Sequence, residues 1–263
     1  MYDGIFFINH AINGLARQTV YSQEERYKQT LETINSINEY CPNNKIFIFD
    51  SSPIFPKTEY ILDLIEKGID FTYNGDDPLV NFNSSIGNRS IAECLSFRIF
   101  LKRFKENKNK YQAKRIYKLS GRYRLNKNFV LDDEKYKDSF VFLKPIVSPL
   151  LKDRDYKRIR MMISPFIKNK SENEVNQKIK NFCQNFKKYY NLRLWHMDYN
   201  LLDTFEKEIE NILKDCIKYT NSHHSNMDVE HAYYKNLHTY KTIELDKIGV
   251  CGNIALNGKY IDE

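Results

Sequence analysis

Short apolar runs alternate with helix-spaced stretches along the first part of the chain. Gly4 to Asn9 (GIFFIN) is an apolar run of strand length. Ser22-x-x-Glu25 has the form of a capping box, and Tyr27, Leu31, Ile34 and Ile37 recur behind it at helical spacing. The run Cys41-Pro42-Asn43-Asn44 stops that helix. Lys45 to Phe49 (KIFIF) is apolar on both faces, as a strand inside a parallel sheet must be, and it ends at Asp50-Ser51-Ser52-Pro53. A second helix spans Tyr60 to Lys67 and closes on Gly68, and Phe71 to Tyr73 reads as a short strand. Strand, helix, strand, helix, strand in that order predicts a doubly wound α/β sheet.

Residues 75–89 (GDDPLVNFNSSIGNR) are dense in Gly, Asp, Asn and Ser and read as a loop. A helix over 89–105 follows, with Ile91, Leu95, Ile99 and Phe100 on one face. Arg115 to Leu119 and Phe140 to Val147 are strand-like, and the basic apolar segment Lys152 to Ser164 reads as an edge strand. The second half is more helical. Ser171 to Tyr190 carries the stripe Val175, Ile179, Phe182 and Phe186, and Leu201 to Tyr219 runs through Phe205, Ile209 and Ile212. Asp228 to Leu237 is a short helix, and IGVCGNIALNG (248–258) closes the chain as strand or loop. No internal repeat is present, and 167–174 is the one candidate seam.

With 263 residues, one α/β domain accounts for the length, and 41 % hydrophobic residues suffice for a sizeable core. Nineteen Tyr and 17 Phe make that core aromatic. A net charge of +7 favours an anionic partner such as a nucleotide, a phosphate-bearing polymer or nucleic acid, without demanding nucleic acid. The five cysteines are scattered and form no C-x-x-C, which is the usage of a reducing compartment. MYDGIFFINH lacks the basic start of a signal peptide, and no apolar run is long enough to span a membrane. The expected location is therefore the cytoplasm.

The sequence has no P-loop, no G-x-G-x-x-G after the first strand, no H-E-x-x-H and no G-x-S-x-G. In open α/β sheets, ligands bind at the carboxyl ends of the parallel strands. Those ends supply Asn9, His10, Asn13 and Arg17; then Asp50 and Ser51; then Asn74, Asp76 and Asp77; then Ser120, Gly121, Arg122 and Arg124. An acidic residue such as Asp50 suits a ribose or base, and the guanidinium fork of Arg122 or Arg124 suits a diphosphate.

This order of elements resembles the nucleotide-sugar glycosyltransferases of GT-A type, in particular small bacterial and viral ones that lack the usual Asp-x-Asp. SIGNRSIAECLSFRIFLKRF (85–104) looks like the loop and helix that touch the nucleotide, which brings in Asn88 and Arg89. KRIYKLSGRYRLNKNFV (114–130) looks like the segment that carries the Asp-x-Asp, but it has Ser120-Gly121-Arg122 there. The resemblance covers residues 4 to 145. It implies a GT-A-like, mostly parallel sheet flanked by helices, with a nucleotide-binding half (1–147) and a helical, acceptor-binding half (148–263). It also implies a nucleotide-sugar donor, such as a UDP-sugar, and a glycan or other hydroxyl acceptor.

A divalent metal normally needs carboxylate ligands at the Asp-x-Asp, so arginines there point to a metal-independent site. Asp153-Arg154-Asp155 is a literal match in a lysine-rich context. The catalytic base implied by the resemblance is Glu230 first, Asp228 second and Asp198 third, with His196 and His231 steering the acceptor. The alternative is a nucleic-acid-binding or DNA-base-modifying protein, since GRYRLNKNF interleaves aromatics with cations. A nucleotidyltransferase would need metal carboxylates.

Overall fold

The computed structural model describes residues 1–15, 19–131, 134–147, 167–185, 187–218, 228–254 and 257–263. The first half is laid down as β1 (Tyr2–His10), α1 (Gln23–Tyr40), β2 (Asn44–Asp50), α2 (Thr58–Glu66), β3 (Asp70–Tyr73), α3 (Pro78–Ile86), α4 (Arg89–Glu106), β4 (Ala113–Ser120), β5 (Tyr123–Leu125), β6 (Phe140–Leu143) and β7 (Ile146–Val147). There follow α5 (Glu172–Asn185), β8 (Lys188–Tyr189), β9 (Leu194–Asp198), α6 (Leu202–Lys218), α7 (Val229–Leu237), β10 (Thr242–Leu245), β11 (Val250–Asn253) and β12 (Tyr260–Asp262).

Seven strands form the central sheet in the order β10-β6-β9-β4-β1-β2-β3. The pairs β1–β2, β1–β4, β2–β3 and β6–β10 are parallel, and β9 runs antiparallel to both its neighbours. This is the expected mostly parallel α/β sheet. Alternate residues of β1 feed two cores, because successive side chains of a strand point to opposite faces. Ile5 and Phe7 join the α4 side with Phe97, Phe100 and Phe104, while Phe6 and Ile8 join the α1 side with Tyr27, Ile34 and Ile37. The capping box of α1 is formed as expected: Glu25 N–H donates to Ser22 Oγ, and Ser22 N–H donates to Glu25 Oε2.

Three parts of the sequence reading are revised. Residues 78–86, read as loop, are helix α3: Asp77 accepts from Leu79 and Val80 N–H, Pro78 opens the first turn, and Gly87 closes it at φ 91°. The helix beginning at Ser171 stops at Asn185, and 188–189 is strand β8. β9, β10 and β12 were not foreseen, and the tail 248–258 resolves into β11, which forms a small antiparallel sheet with β5 and β12. The segment 152–164 and the Asp153-Arg154-Asp155 match lie outside the described residues.

The register brings three strand ends level. Asn9 lies opposite Ser120, and His10 lies opposite Asp50. Gly121 then turns across β1, and a Cβ there would stand 2.1 Å from His10 Cδ2. No larger residue fits without moving the imidazole. Gly121→Ala should therefore destabilise the chain by roughly 1–3 kcal/mol in urea denaturation; an unchanged midpoint would show that this contact is loose.

Candidate functional site

A cleft of about 240 Å³ opens at these strand ends. Three arginines reach it from three elements: Arg26 from the inner face of α1, Arg89 from the first turn of α4 and Arg122 from just beyond β4. Arg26 is 5 % exposed, and both Arg26 and Arg122 leave a buried Nε without a hydrogen-bond partner. Burial, together with the neighbouring Arg122, pushes the pKa of Arg26 down to about 10, and Asp50 opposes this. Burial and Arg122 lower that of Arg89 as well. Like charge thus depresses the pKa of Arg26 and Arg89, and Arg26 and Arg122 hold buried donors unused, an arrangement that suits an anion. Arg122 also lies over the Tyr123 ring at 4.9 Å.

The carboxylates at the cleft are already engaged. Asp50 is fully buried and accepts from Ile12 N–H and Ser52 N–H, each at 2.8 Å. It holds the β1 and β2 turns and does not line the cleft. His10, beside it, is bonded to Thr30 Oγ1 at 3.1 Å. Its pKa falls to about 4, chiefly through burial and then Arg26, so the imidazole is neutral. Glu93 lines the cleft and accepts from Lys118 Nζ at 2.7 Å; Lys118 is itself 1 % exposed. Burial raises the Glu93 pKa, but Lys118, Asn9 and Arg122 outweigh it and the net shift is downward. Asn9 also lines the cleft and keeps a buried Oδ1 without a partner.

Of the residues singled out from the sequence, Asn9, Ser51, Arg89, Ser120 and Arg122 line the cleft together. Gly121 supplies the close approach to His10. Asn88 is the buried N-cap residue of α4 and bonds Asn83. Arg124 does not join them: it lies on β5 opposite Cys251 and pairs with Glu32 on α1 at 3.7 Å. Successive strand residues point to opposite faces, but Gly121 and Arg122 form the turn, so the count fails there. Arg17 lies outside the described residues.

Asp198 ends the antiparallel strand β9, opposite Arg115 at the start of β4, and so stands at the far edge of the sheet. It accepts from Asp138 and Asn200 N–H. His196 is buried on the same strand, and its Nδ1 accepts from Arg115 Nε at 2.8 Å. Burial and then Arg115 depress its pKa, so it is a neutral core acceptor. His231 is buried against Tyr189, with ring centroids 4.9 Å apart.

Glu230 sits in the first turn of α7, next to the N-cap Asp228. Burial first, then Asp228 and Glu93, push its pKa up to about 8. It is within electrostatic reach of the cleft through Glu93, although it does not line it. Arg26, Glu93 and Lys118 were missed by the sequence reading. Their signals were there: Arg26, Thr30, Thr33 and Ile37 form a buried stripe on α1, and single charges interrupt the apolar runs around Glu93 and Lys118.

Ser120, Gly121 and Arg122 do not fit a divalent cation: Ser120 offers a hydroxyl, Gly121 no side chain and Arg122 a positive charge. Among the described residues, no three His, Cys, Asp or Glu side chains group as metal ligands.

No protein-family model matches the sequence, and no curated protein sequence matches it. Solved structures do match. Core-mannan synthase A (CmsA/Ktr4) from Aspergillus fumigatus, in its Mn/GDP form, aligns over 97 % of this chain and 75 % of its own, with a TM-score of 0.50 and 10 % identity. The mannosyltransferase Ktr4p from S. cerevisiae aligns over 90 % of this chain with a TM-score of 0.50 and 11 % identity, and this chain spans 65 % of it. At that identity the likeness concerns the fold, and the fold is GT-A-like.

Arg26→Met tests the charge balance. Methionine keeps helix propensity and volume while removing one of three like charges. In phosphate-free buffer the variant should gain on the order of 1 kcal/mol, or roughly 2–4 °C in Tm, and should lose most of the stabilisation that pyrophosphate gives the parent. A fall in Tm without ligand would make Arg26 a structural residue.

Proposed function

We propose that this chain is a glycosyltransferase that moves a sugar from a nucleotide-sugar donor to a hydroxyl acceptor. The observation that carries this reading is that Arg26, Arg89 and Arg122 line one cleft at the carboxyl ends of β1, β2 and β4, with a buried Nε of both Arg26 and Arg122 lacking a hydrogen-bond partner. That is where a GT-A-like sheet presents its donor. The solved structures of the same fold are a mannan synthase in a GDP form and a mannosyltransferase, which supports a nucleotide donor and a glycan or other hydroxyl acceptor.

In this reading the guanidinium groups bind the diphosphate and take up the charge that develops on it as the anomeric carbon–oxygen bond breaks. The electron pair of that bond leaves with the diphosphate oxygen. The acceptor hydroxyl attacks the anomeric carbon, and in an inverting reaction its proton passes to the Glu230 carboxylate; in a retaining reaction Glu230 only binds. Asp228 assists by holding the Glu230 pKa up. The first 147 residues provide the donor half, and the rest approaches the acceptor. The finer proposal is that the diphosphate is neutralised by arginine without a divalent metal. His196, Asp198 and Arg124 have no part in the chemistry. Base stacking by the 121–129 segment has little support, because Tyr123 and Phe129 are buried in the core.

A thermal-shift panel of UDP, GDP and their sugar conjugates, with EDTA or with manganese, tests the class. A nucleoside diphosphate should raise Tm in EDTA, and Arg122→Ala should remove most of the shift. No shift with any nucleotide, with or without manganese, would sink the proposal. A shift that requires manganese would overturn the metal-free part alone.

The pH profile tests the base. With a pKa of about 8, Glu230 is mostly protonated at neutral pH and ionises as pH rises. A base acts only when ionised, so kcat/KM should climb about tenfold per pH unit below that value and level off above it. Glu230→Gln should lower kcat by roughly 100-fold or more and flatten the limb. An unaltered limb in the variant would assign the base elsewhere.

A further inference from the structure

Helix α3 buries Val80 together with the polar Asn83 and Ser84, and Ser84 lines the cleft. Its other large apolar residues point to solvent: Leu79 is 61 % exposed, Phe82 59 % and Ile86 37 %. Positions i, i+3 and i+7 make one continuous face of the helix. The loop after β2 adds to this face. Asn81 Nδ2 donates to Pro53 O at 3.0 Å and fastens that loop to α3, and the next two residues, Ile54 and Phe55, are 55 % and 52 % exposed. Pro53 itself lines the cleft. Five large apolar side chains thus crown one lip of a cationic cleft, on two elements hydrogen-bonded to each other.

A soluble surface scatters such residues singly; a contiguous group marks a contact. We propose that this face is a docking surface for an anionic lipid bilayer, on which the protein rests with the cleft mouth toward the membrane. Charge decides between this and self-association. Each chain carries +7, so two copies repel one another, whereas an anionic bilayer attracts the chain before its apolar side chains enter. No helix among the described residues is long and apolar enough to cross a membrane, so the contact is at the surface. The shape suits it too: three helical side chains project together from a short rigid element, as in an interfacial helix. This inference does not depend on the nucleotide reading, and it gives that reading a consequence: hydroxyl acceptors displayed at a bilayer would meet the cleft directly.

Vesicle sedimentation tests it on the intact chain. Mixed phosphatidylcholine–phosphatidylglycerol vesicles should retain the protein, and pure phosphatidylcholine vesicles should retain it less. Leu79→Ser with Phe82→Ser should lower the partition coefficient at least about tenfold, as loss of two buried apolar anchors predicts. Phe55→Ser, on the loop, should act in the same direction and serves if the helix variant fails to fold by circular dichroism. Failure to bind the mixed vesicles overturns the proposal. So does binding that both variants leave unchanged, since the contact would then lie elsewhere. A concentration-dependent dimer in light scattering that these variants dissolve also overturns it, in favour of a second copy of the chain. Nucleotide thermal shifts on the same samples keep the two readings apart: vesicle binding can fail while nucleotides bind, and the reverse.

Discussion

Positive charge gathered where three parallel strands end is the constraint on which the rest of the structure depends. Arg26, Arg89 and Arg122 share one cleft, and Asp50 and Glu93 offset their charge only in part. Asp50 gives its oxygens to two backbone amides, and Glu93 is hydrogen-bonded to Lys118. A cluster of this kind opposes folding, because each guanidinium loses water and gains like-charged neighbours. It persists only because the scaffold holds each arginine from a different element. The level register of β1, β2 and β4, and the close approach of Gly121 to His10, supply that stiffness.

Helix α4 links the core to the cleft. Its aromatic side packs Phe97, Phe100 and Phe104 on the sheet, with Phe100 and Phe104 both within 5 Å of the Phe7 ring centroid. Burial of three such rings fixes the helix far more firmly than any surface ion pair would. Arg89 and Glu93 lie one turn apart at its beginning, so their positions follow from that packing. The Lys118–Glu93 pair completes the fixing from β4. Removing one partner of such a pair leaves the other's charge stranded, which is costly even where the intact pair contributes little.

The fold was legible because the first half is written in unambiguous periods. GIFFIN and KIFIF cannot be solvent-facing strands, and the capping box marks the start of α1 to the residue. The strand-end rule then found Asn9, Ser51, Ser120 and Arg122 without any contact being known. LWHMD was not read as a strand; it runs antiparallel to its neighbours, so Asp198 at its end stands at the edge of the sheet away from the cleft. Arg26 was hidden for a different reason: sequence periodicity reports apolar stripes, and a buried arginine counts as a polar residue on an outer face. Helix α3 was hidden for the converse reason. Apart from Val80 its large apolar residues are exposed, so GDDPLVNFNSSIGNR reads as a loop with scattered hydrophobics until Asp77-Pro78 and Gly87 are recognised as its two ends.

Glu93 and Glu230 illustrate how one rule yields opposite protonation states within one region. Both lose water. Glu93 is given an ammonium and an amide and is held ionised; Glu230 is given a second carboxylate and is held protonated. Environments that drive two acids apart are what acid–base chemistry requires, and a purely structural pair has no need of them. Glu93 is also the charge that joins the two: it helps raise the pKa of Glu230, while Arg193 opposes it.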